Sequence, residues 1–248
     1  MRPKVIINCG PCEDYIGLCL NSLRAQTHRD WDAFVTIDPS ADDTANRAWA
    51  ARQGDGRIDI RFNAERRYAM SNLVHAIERS GAGPNDVIVI LDGDDWLASD
   101  RALERIVAEY RRHDCWMTYG SWVTNDPSRT GPSAGRWPAY PEGTTRFRET
   151  AWLGTAVRSW KKWLWDLVED RHLRDEDSNY ILVAEDQATM LPMLEMSGTD
   201  KARHIPDVLM IYNRLTPHAC GKVHLDLMYR TTAYVRSLPA YRRLRQPA

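Results

Sequence analysis

The chain has 248 residues, which is enough for one α/β domain with a buried core, alone or with a small appendage. Its hydrophobic content of 43% and charged content of 27% are ordinary for a globular protein. The formal net charge of −1 excludes a bulk electrostatic attraction to nucleic acid or membranes. Ten tryptophans are many for this length, and they indicate either a large core or aromatic platforms in a binding cleft.

The sequence carries no targeting or membrane-spanning pattern. The N-terminus lacks the apolar stretch of a signal peptide, and the longest clean apolar run, Val87 to Leu91, is far too short to span a bilayer. Five cysteines are an odd number, whereas a disulfide framework favours an even one. We therefore expect a cytosolic protein with reduced thiols.

Strands and helices alternate along the first half of the chain. Apolar runs predict strands at 4–8, 31–38, 58–62 and 86–91, and helical spacing of apolar residues predicts helices at 12–26 and around 103–110. Further helices are predicted at 44–52, after an acidic loop, and at 70–80, before a Gly- and Pro-rich stop. Asp42 or Asp43 is the expected cap of the helix at 44–52. This alternation predicts a doubly wound α/β layer with right-handed crossovers.

The second half is less regular. A strand is predicted at 115–119, and the segment 120–150, rich in Gly, Pro, Ser and Thr, is typical of a lid or binding loop. Residues 152–169 are predicted to be helical. Another helix is expected after Glu185-Asp186, and a last one at 222–238 before a polar tail.

The predicted helix at 152–169 contains four tryptophans, at positions 152, 160, 163 and 165. Their spacings do not fit one helical face, so at least one of them should lie off the core. For any single one, core packing is favoured over stacking on a sugar or base.

An acidic cluster follows the fourth predicted strand. Asp92, Asp94 and Asp95 lie where this buried apolar run leaves the sheet, and ligands of open α/β sheets bind at the carboxyl ends of strands. Gly93 lets the backbone turn and a ligand approach. Carboxylates are hard oxygen donors that select Mg²⁺ or Mn²⁺. The alternative is an acidic turn that only caps the following helix.

Three segments in order resemble family 2 glycosyltransferases of the GT-A fold. The exit of the second strand, 36–44, is similar to the acidic "DDGSxDDT" stretch of that family. Residues 91–97, Leu-Asp-Gly-Asp-Asp-Trp-Leu, are similar to its DXD metal motif, and Ala184-Glu185-Asp186-Gln187 is similar to its "ED" motif. The resemblance covers roughly residues 4–215 and is firm to about residue 112. It implies a mostly parallel, mixed, Rossmann-like sheet flanked by helices, with a helical C-terminal extension.

The resemblance also implies roles for individual residues. Asp38 matches the acid that contacts the nucleotide base, and the loop with Cys9 and Gly10 would line the nucleotide pocket. Asp92 and Gly93 would contact the donor. Asp94, with Asp92, would hold the metal ion, and His218 is a candidate third ligand. Asp186 or Glu185 would be the catalytic base.

Two positions depart from the family pattern. The helix before the DXD strand contains Ser71-Asn72, where family members often carry an Arg-Asn pair. Arg66 and Arg67 are substitutes for the diphosphate contact by position only. Ile37 stands in place of the first acid of the "DD" pair, and UDP is the default expectation for the nucleotide.

The implied reaction is metal-dependent, inverting transfer of a sugar from a UDP-linked donor to a hydroxyl acceptor. A divalent ion, Mn²⁺ or Mg²⁺, would neutralise the leaving diphosphate, and a carboxylate would take the proton of the acceptor hydroxyl. The acceptor remains open between a glycan, a lipid-linked sugar, a protein and a modified nucleic-acid base.

The expected organisation is a glycosyltransferase domain at 1–220 followed by a C-terminal helix and basic tail at 221–248. Within the domain, residues 1–112 would bind the nucleotide-sugar and 113–220 the acceptor. Residues 227–248 contain five arginines and no acid. They are interpreted either as a solvated helix end or as a grip on nucleic acid or an acidic membrane surface.

Two further classes of protein compete with this interpretation. Cys9-Gly10-Pro11-Cys12 is the tetrapeptide of thioredoxin and lies between a strand and a helix, which is typical of a thiol-disulfide oxidoreductase. No Trp precedes Cys9, and no cis-proline loop facing the cysteines can be identified. The other competitor is a non-catalytic nucleotide-sugar-binding protein, which the presence of both acidic motifs disfavours.

Overall fold

An eight-stranded sheet with helices on both faces organises the computed structural model, which describes residues 1–130, 134–217 and 224–247. The strands are β1 (Pro3–Cys9), β2 (Asp32–Ile37), β3 (Ile58–Phe62), β4 (Val87–Asp92), β5 (Trp96–Leu97), β6 (Met117–Thr124), β7 (Arg158–Lys161) and β8 (Ala202–Tyr212). The helices are α1 (Ile16–Arg24), α2 (Thr44–Arg52), α3 (Tyr68–Arg79), α4 (Ala102–Arg112), α5 (Lys162–Trp165), α6 (Glu185–Lys201) and α7 (Leu225–Ser237).

The strand order is β3-β2-β1-β4-β7-β6-β8-β5. Strands β3, β2, β1 and β4 are parallel, as the strand–helix alternation of the first half predicts. Strand β7 is antiparallel to both β4 and β6, β6 is parallel to β8, and β5 is antiparallel to β8. The sheet is therefore mixed and mostly parallel, and the predicted fold class is confirmed.

Two hydrophobic cores lie on opposite faces of the sheet, because successive side chains of a strand point to opposite sides. Val5 and Ile7 of β1 join the core covered by α1, α2 and α4. Ile6 joins the other core, which α3 and α6 cover. Burial on both faces explains why β1 and β4 are near-continuous apolar runs.

The helix predicted for residues 152–169 is wrong. Residues Arg158–Lys161 form strand β7 between β4 and β6, and only Lys162–Trp165 are helical. Three of the four tryptophans are buried, with Trp160 stacked on Trp165 at a centroid distance of 5.9 Å and Trp163 edge-on to Trp116 at 5.0 Å. Pairing on both sides of β7 and this aromatic packing outweigh the local helical propensity.

The strand predicted at 115–119 continues to Thr124, and the remaining described part of 120–150 is irregular. The segment is fixed in its centre by buried aromatic side chains. The Tyr119 hydroxyl accepts a bond from the Tyr140 amide at 3.0 Å, and the Tyr140 hydroxyl accepts one from the Leu153 amide at 3.1 Å.

The C-terminal segment packs on α6. A buried ion pair joins Arg148 Nε to Glu195 Oε1 at 2.7 Å, and Glu195 Oε2 also accepts a bond from the Tyr241 amide at 2.9 Å. Arg243 Nη1 donates to the carbonyl of Met196 at 2.7 Å.

In the described part of the chain, no helix combines the length and hydrophobicity needed to cross a bilayer.

Candidate active site

The carboxyl ends of β1, β2 and β4 meet at one edge of the sheet. The Asp38 amide donates to the carbonyl of Cys9 at 2.9 Å, and the Gly93 amide donates to the carbonyl of Asn8 at 3.0 Å. Loops that leave three neighbouring strands are thereby joined by backbone hydrogen bonds. This edge is where ligands of open α/β sheets bind.

The acid loop, residues 92–95, turns tightly against β1. The Asp95 amide donates to the carbonyl of Asp92 at 3.0 Å, which closes the turn. A Cβ atom added to Gly93 would lie 2.4 Å from Cys9 Sγ, so only glycine fits at this position. The close contact fixes the height of the acid loop above the strand end.

The three aspartates of the acid loop have different surroundings. Asp95 is buried, and its Oδ1 accepts a bond from the Asn213 amide at 2.7 Å, so this side chain ties the loop to the end of β8. Asp94 is half-buried, and the Asp92 side chain remains 35% exposed. Asp92 and Asp94 are therefore the members that a ligand can reach.

Burial and mutual repulsion make the acid loop costly to ionise. Burial, followed by the charge of Asp92, raises the pKa of Asp94 to about 7. Burial also raises the pKa of Asp92; Arg158 opposes this effect and Asp186 adds to it. A bound cation would relieve both costs, because it favours the ionised carboxylates.

The donor set fits a divalent cation that is shared with a ligand. Within the described ranges, no group of three or more His, Cys, Asp or Glu side chains is arranged to hold a metal ion. Mg²⁺ and similar hard cations, however, are commonly held by one or two carboxylates together with substrate phosphates and water. Asp94 and Asp92 supply such a pair. His218, the candidate third ligand, lies outside the described residues.

Glu185 and Asp186 open helix α6, as the sequence predicts. Ala184, the residue before them, has a left-handed conformation with φ of 60°, which is strained for a residue with a Cβ atom and sets the direction in which the helix begins. Asp186 Oδ1 accepts a bond from the Gln187 amide at 2.8 Å, and its side chain is 30% exposed. Burial and the neighbouring Asp186 raise the pKa of Glu185 to about 7.

Arg158, at the start of β7, brings the two acidic motifs together. Its Nη2 atom lies 3.9 Å from Asp92 Oδ2, and its Nη1 atom lies 3.9 Å from Asp186 Oδ2. The sequence does not predict this role, because the pattern of residues 152–169 indicates a helix. The same segment contains Lys161 and Lys162, so no local signal singles out Arg158.

Asp38 is fully engaged at the exit of β2. Its Oδ1 accepts bonds from Asn63 Nδ2 at 2.8 Å and from the Arg67 amide at 3.1 Å, and its Oδ2 accepts one from the Tyr68 amide at 2.8 Å. Asn63 also donates to Asn72 Oδ1 at 2.7 Å. Asp38 thus holds the turn before α3 in place.

The predicted diphosphate contacts lie on that same turn. The side chains of Arg66 and Arg67 are exposed, and the Arg66 guanidinium lies 4.5 Å from the centre of the Tyr68 ring. Because Asp38 binds the backbone of this turn, the two arginines are anchored beside the exit of β2. Among the described residues, no hydrogen bond or ion pair joins either arginine side chain to the acid loop.

The Cys9–Cys12 loop is structural in its contacts. The Cys12 amide donates to Thr44 Oγ1 at 2.8 Å, which joins the loop to the start of α2. Both thiols are buried and free, and a hydrogen bond with Cys12, together with burial, raises the pKa of Cys9. A redox-active cysteine has the opposite features, a lowered pKa and partial exposure. Gly10 has open space around it, so no packing requires a glycine there.

Two of the five C-terminal arginines are used within the fold. Arg236 Nε donates to Gln187 Oε1 at 2.8 Å, and its Nη1 donates to the carbonyls of Arg148 and Thr150. Arg243 binds α6. Arg230, Arg242 and Arg245 are exposed. Only these three are available to an anionic partner.

Comparison with known proteins agrees with this geometry. The family model described as glycosyl transferase family 2 matches residues 5–162, which is more than half of the chain. The chain belongs to glycosyl transferase family 2. The match ends just after β7, so it includes the acid loop and Arg158 and stops before α6.

One curated relative is EpsE of Bacillus subtilis (strain 168), a protein to which a glycosyltransferase function is ascribed. It is 29% identical over 123 residues, which cover 48% of this chain and 42% of the relative. The chain thus spans less than half the length of that relative.

Solved structures share the GT-A fold. TarS 1-349 of S. aureus with UDP-GlcNAc has a TM-score of 0.67 at 15% identity, over 95% of this chain and 66% of that one. The mannosyltransferase PcManGT from Pyrobaculum calidifontis with GDP-Man and Mn²⁺ has a TM-score of 0.61 at 16% identity, over 97% and 66%. Glucosyl-3-phosphoglycerate synthase from Mycobacterium tuberculosis has a TM-score of 0.62 at 14% identity, over 96% and 79%.

Proposed function

We propose that this chain transfers a sugar from a nucleotide diphosphate donor, with UDP as the expected nucleotide, to a hydroxyl acceptor with inversion at the anomeric carbon. The observation that carries the proposal is the meeting of the acid loop and the carboxylates of α6 around Arg158 at one edge of the sheet. An acidic donor-binding loop and a separate carboxylate beside it are what a single direct displacement requires.

The donor would lie over the ends of β1, β2 and β4. The Asp38 turn and the Cys9–Gly10 loop would border the nucleotide, and the exposed Arg66 and Arg67 are the cations available to the diphosphate on that side. The similar structures of TarS with UDP-GlcNAc and of PcManGT with GDP-Man support a nucleotide-sugar as the donor class.

Asp94 and Asp92 would hold the divalent ion against the diphosphate. When bound, Mn²⁺ or Mg²⁺ supplies Lewis-acid stabilisation of the charge on the leaving phosphate oxygen. The raised pKa of Asp94 fits this role, because a carboxylate that is costly to ionise alone gains most from a cation. The Mn²⁺ complex of PcManGT supports the choice of metal.

Asp186 is the proposed catalytic base, with Glu185 as the alternative. The acceptor hydroxyl oxygen forms a bond to the anomeric carbon, the bond from that carbon to the diphosphate oxygen breaks, and the hydroxyl proton passes to the carboxylate. Asp186 lies on a different segment from the acid loop, as a base on the far side of the sugar must. Its partly exposed side chain is reachable by an acceptor.

The test is donor turnover by the purified protein. With Mn²⁺ and a panel that includes UDP-GlcNAc, UDP-glucose and GDP-mannose, we expect slow hydrolysis of at least one donor, most readily a UDP-sugar. EDTA should abolish it, and Asp94→Asn should weaken Mn²⁺-dependent UDP binding measured by calorimetry. Asp114→Asn, an exposed acid paired with Lys201, is the matched control.

Four results would contradict parts of this proposal. Full turnover in EDTA would show that the reaction needs no divalent ion. Unchanged UDP binding by Asp94→Asn would show that Asp94 is not a ligand of that ion. UDP binding without turnover of any donor or transfer to any acceptor would favour a non-catalytic nucleotide-sugar-binding protein. Rapid reduction of insulin disulfides by the wild type, lost in Cys9→Ser, would favour the oxidoreductase.

A further inference from the structure

The sheet places Arg158 beside the acid loop. Strand β7 is antiparallel to β4, with Arg158 opposite Ile90, so β7 begins beside the carboxyl end of β4. That end carries the acid loop. The first residue of β7 therefore stands next to Asp92, although the two are far apart along the chain.

The Arg158 guanidinium is buried yet not saturated by hydrogen bonds. The residue is only 8% exposed, and its Nε atom has no hydrogen-bond partner in the described part of the chain. Its two terminal nitrogens lie 3.9 Å from Asp92 and Asp186, within ion-pair range but longer than a hydrogen bond. A buried cation between two carboxylates attracts both toward a common point, while its Nε–H group stays without a hydrogen-bond partner.

Without Arg158, the carboxylates of Asp92 and Asp186 would share no partner of opposite charge. Asp92 belongs to β4 and Asp186 to α6, and the direct interaction between them is repulsive. An arginine guanidinium stays protonated in proteins, so the Arg158 side chain attracts both acids at once.

We propose that Arg158 is a positioning residue, whose guanidinium holds the Asp186 carboxylate at a fixed place relative to the donor-binding acid loop. This inference rests on the proposed function and goes beyond it, because it assigns a role to a residue outside both acidic motifs. Arg158 acts on the reaction through Asp186 and on nucleotide binding only through Asp92, so its removal should lower turnover far more than nucleotide affinity. A shift of the base by about 1 Å is worth about 10²-fold in rate.

The experiment is a double-mutant cycle with UDP-GlcNAc, or the preferred UDP-sugar, in Mn²⁺. Arg158→Met should lower kcat by about 10²-fold while KM and the affinity for UDP stay within about threefold. Arg158→Lys, which keeps the charge, should recover about tenfold of that loss. In Asp186→Asn, the further change Arg158→Met should have little effect, because two residues that act through one step are not additive.

A matched control separates positioning from stability. Arg57→Met removes another partly buried arginine, which pairs with Asp55 at 2.7 Å at the start of β3, on the opposite edge of the sheet. It should lower thermal stability and leave kcat and KM unchanged. Thermal unfolding of all variants is recorded, and Arg158→Lys carries the test if Arg158→Met does not fold.

The outcomes are distinguishable. A wild-type kcat in Arg158→Met, additive losses in the cycle, or a loss of UDP affinity as large as the loss of kcat each overturn the positioning role and leave the proposed function intact. If Arg158→Lys folds but recovers no activity, the role does not depend on the positive charge, and the positioning role is overturned. A wild type that turns over no donor overturns the proposed function, and this inference with it.

Discussion

Glu185 and Asp186 are adjacent in sequence but differ in their contacts. Asp186 has one oxygen bound to the Gln187 amide and the other facing the Arg158 guanidinium at 3.9 Å. Glu185 has no cation at ion-pair distance among the described residues, and its pKa is raised to about 7 by burial and by Asp186. The Arg158 guanidinium thus lies at ion-pair distance from Asp186 and holds its carboxylate in a defined place, which favours Asp186 as the proton acceptor.

The two acids are separated by conservative substitutions. Asp186→Asn keeps the shape of the side chain and removes the proton acceptor, so transfer should fall by about 10²–10⁴-fold while UDP and Mn²⁺ binding are retained. Glu185→Gln should retain at least a tenth of wild-type turnover. The measurement is single-turnover transfer together with calorimetric binding of UDP. Near wild-type transfer by Asp186→Asn combined with an inactive Glu185→Gln would assign the base to Glu185.

Helix α6 is positioned from its far end by the C-terminal tail. The backbone leaves the helical conformation at Gly198, with φ of 57° and ψ of 177°, a region that is open essentially only to glycine. A Cβ atom there would also lie 2.4 Å from Arg243 Nε. This arginine binds the carbonyl of Met196, so the glycine lets the tail lie against the helix that carries the candidate base.

Gly198→Ala should therefore destabilise the fold by about 1–3 kcal/mol, the usual cost of a strained backbone position. The measurement is equilibrium unfolding in urea. Gly54→Ala is the control, since Gly54 also has a positive φ, 72°, but open space around it. The steric contact with Arg243 predicts the larger loss for Gly198→Ala, and equal losses would show that tail docking contributes nothing.

Replacement of the exposed arginines of the tail would test whether the acceptor is anionic. Replacing Arg230, Arg242 and Arg245 with Gln removes the charges that the fold leaves free, without touching Arg236 or Arg243. If the tail binds an anionic polymer or membrane, affinity for single-stranded DNA or phosphatidylserine vesicles should fall about tenfold at low salt, and donor hydrolysis should not change. Unchanged binding at low salt would leave these residues as a solvated helix end.

The site as a whole makes stability depend on pH. The pKa of Asp94 is raised from 3.8 to about 7 and that of Glu185 from 4.5 to about 7. In that window the folded state binds more protons than the unfolded state, so these groups lower stability as pH rises from about 4 to 7. The histidines His172 and His204 act in the opposite direction, because burial lowers their pKa.

The contribution of Asp94 is isolated by comparison with Asp94→Asn, which cannot titrate. Between pH 5 and 7.5, in EDTA, we expect the unfolding free energy of the wild type to fall relative to that of the variant. Addition of Mn²⁺ and UDP should stabilise the wild type above pH 7 by more than the variant, since only the ionised carboxylate binds the cation. Parallel pH profiles in EDTA would contradict a raised pKa at Asp94.

The sequence by itself determined the parallel half of the fold and the candidate residues at its edge. Strands β1 to β4 are short apolar runs separated by helices, and the signals for both are local in the chain. The acid loop follows β4 directly, and Glu185 and Asp186 directly precede α6, so their places follow from the element boundaries. Three motifs in order then indicated the family.

Only the tertiary structure decided how these elements meet. Strand β7 owes its conformation to pairing with β4 and β6, partners distant in sequence, so its local pattern predicted a helix instead. Arg158, Asp95 and the tail arginines acquired their roles in the same way. The attraction of a buried charge depends on which carboxylates the folded chain places within a few ångströms, and no local periodicity encodes that distance.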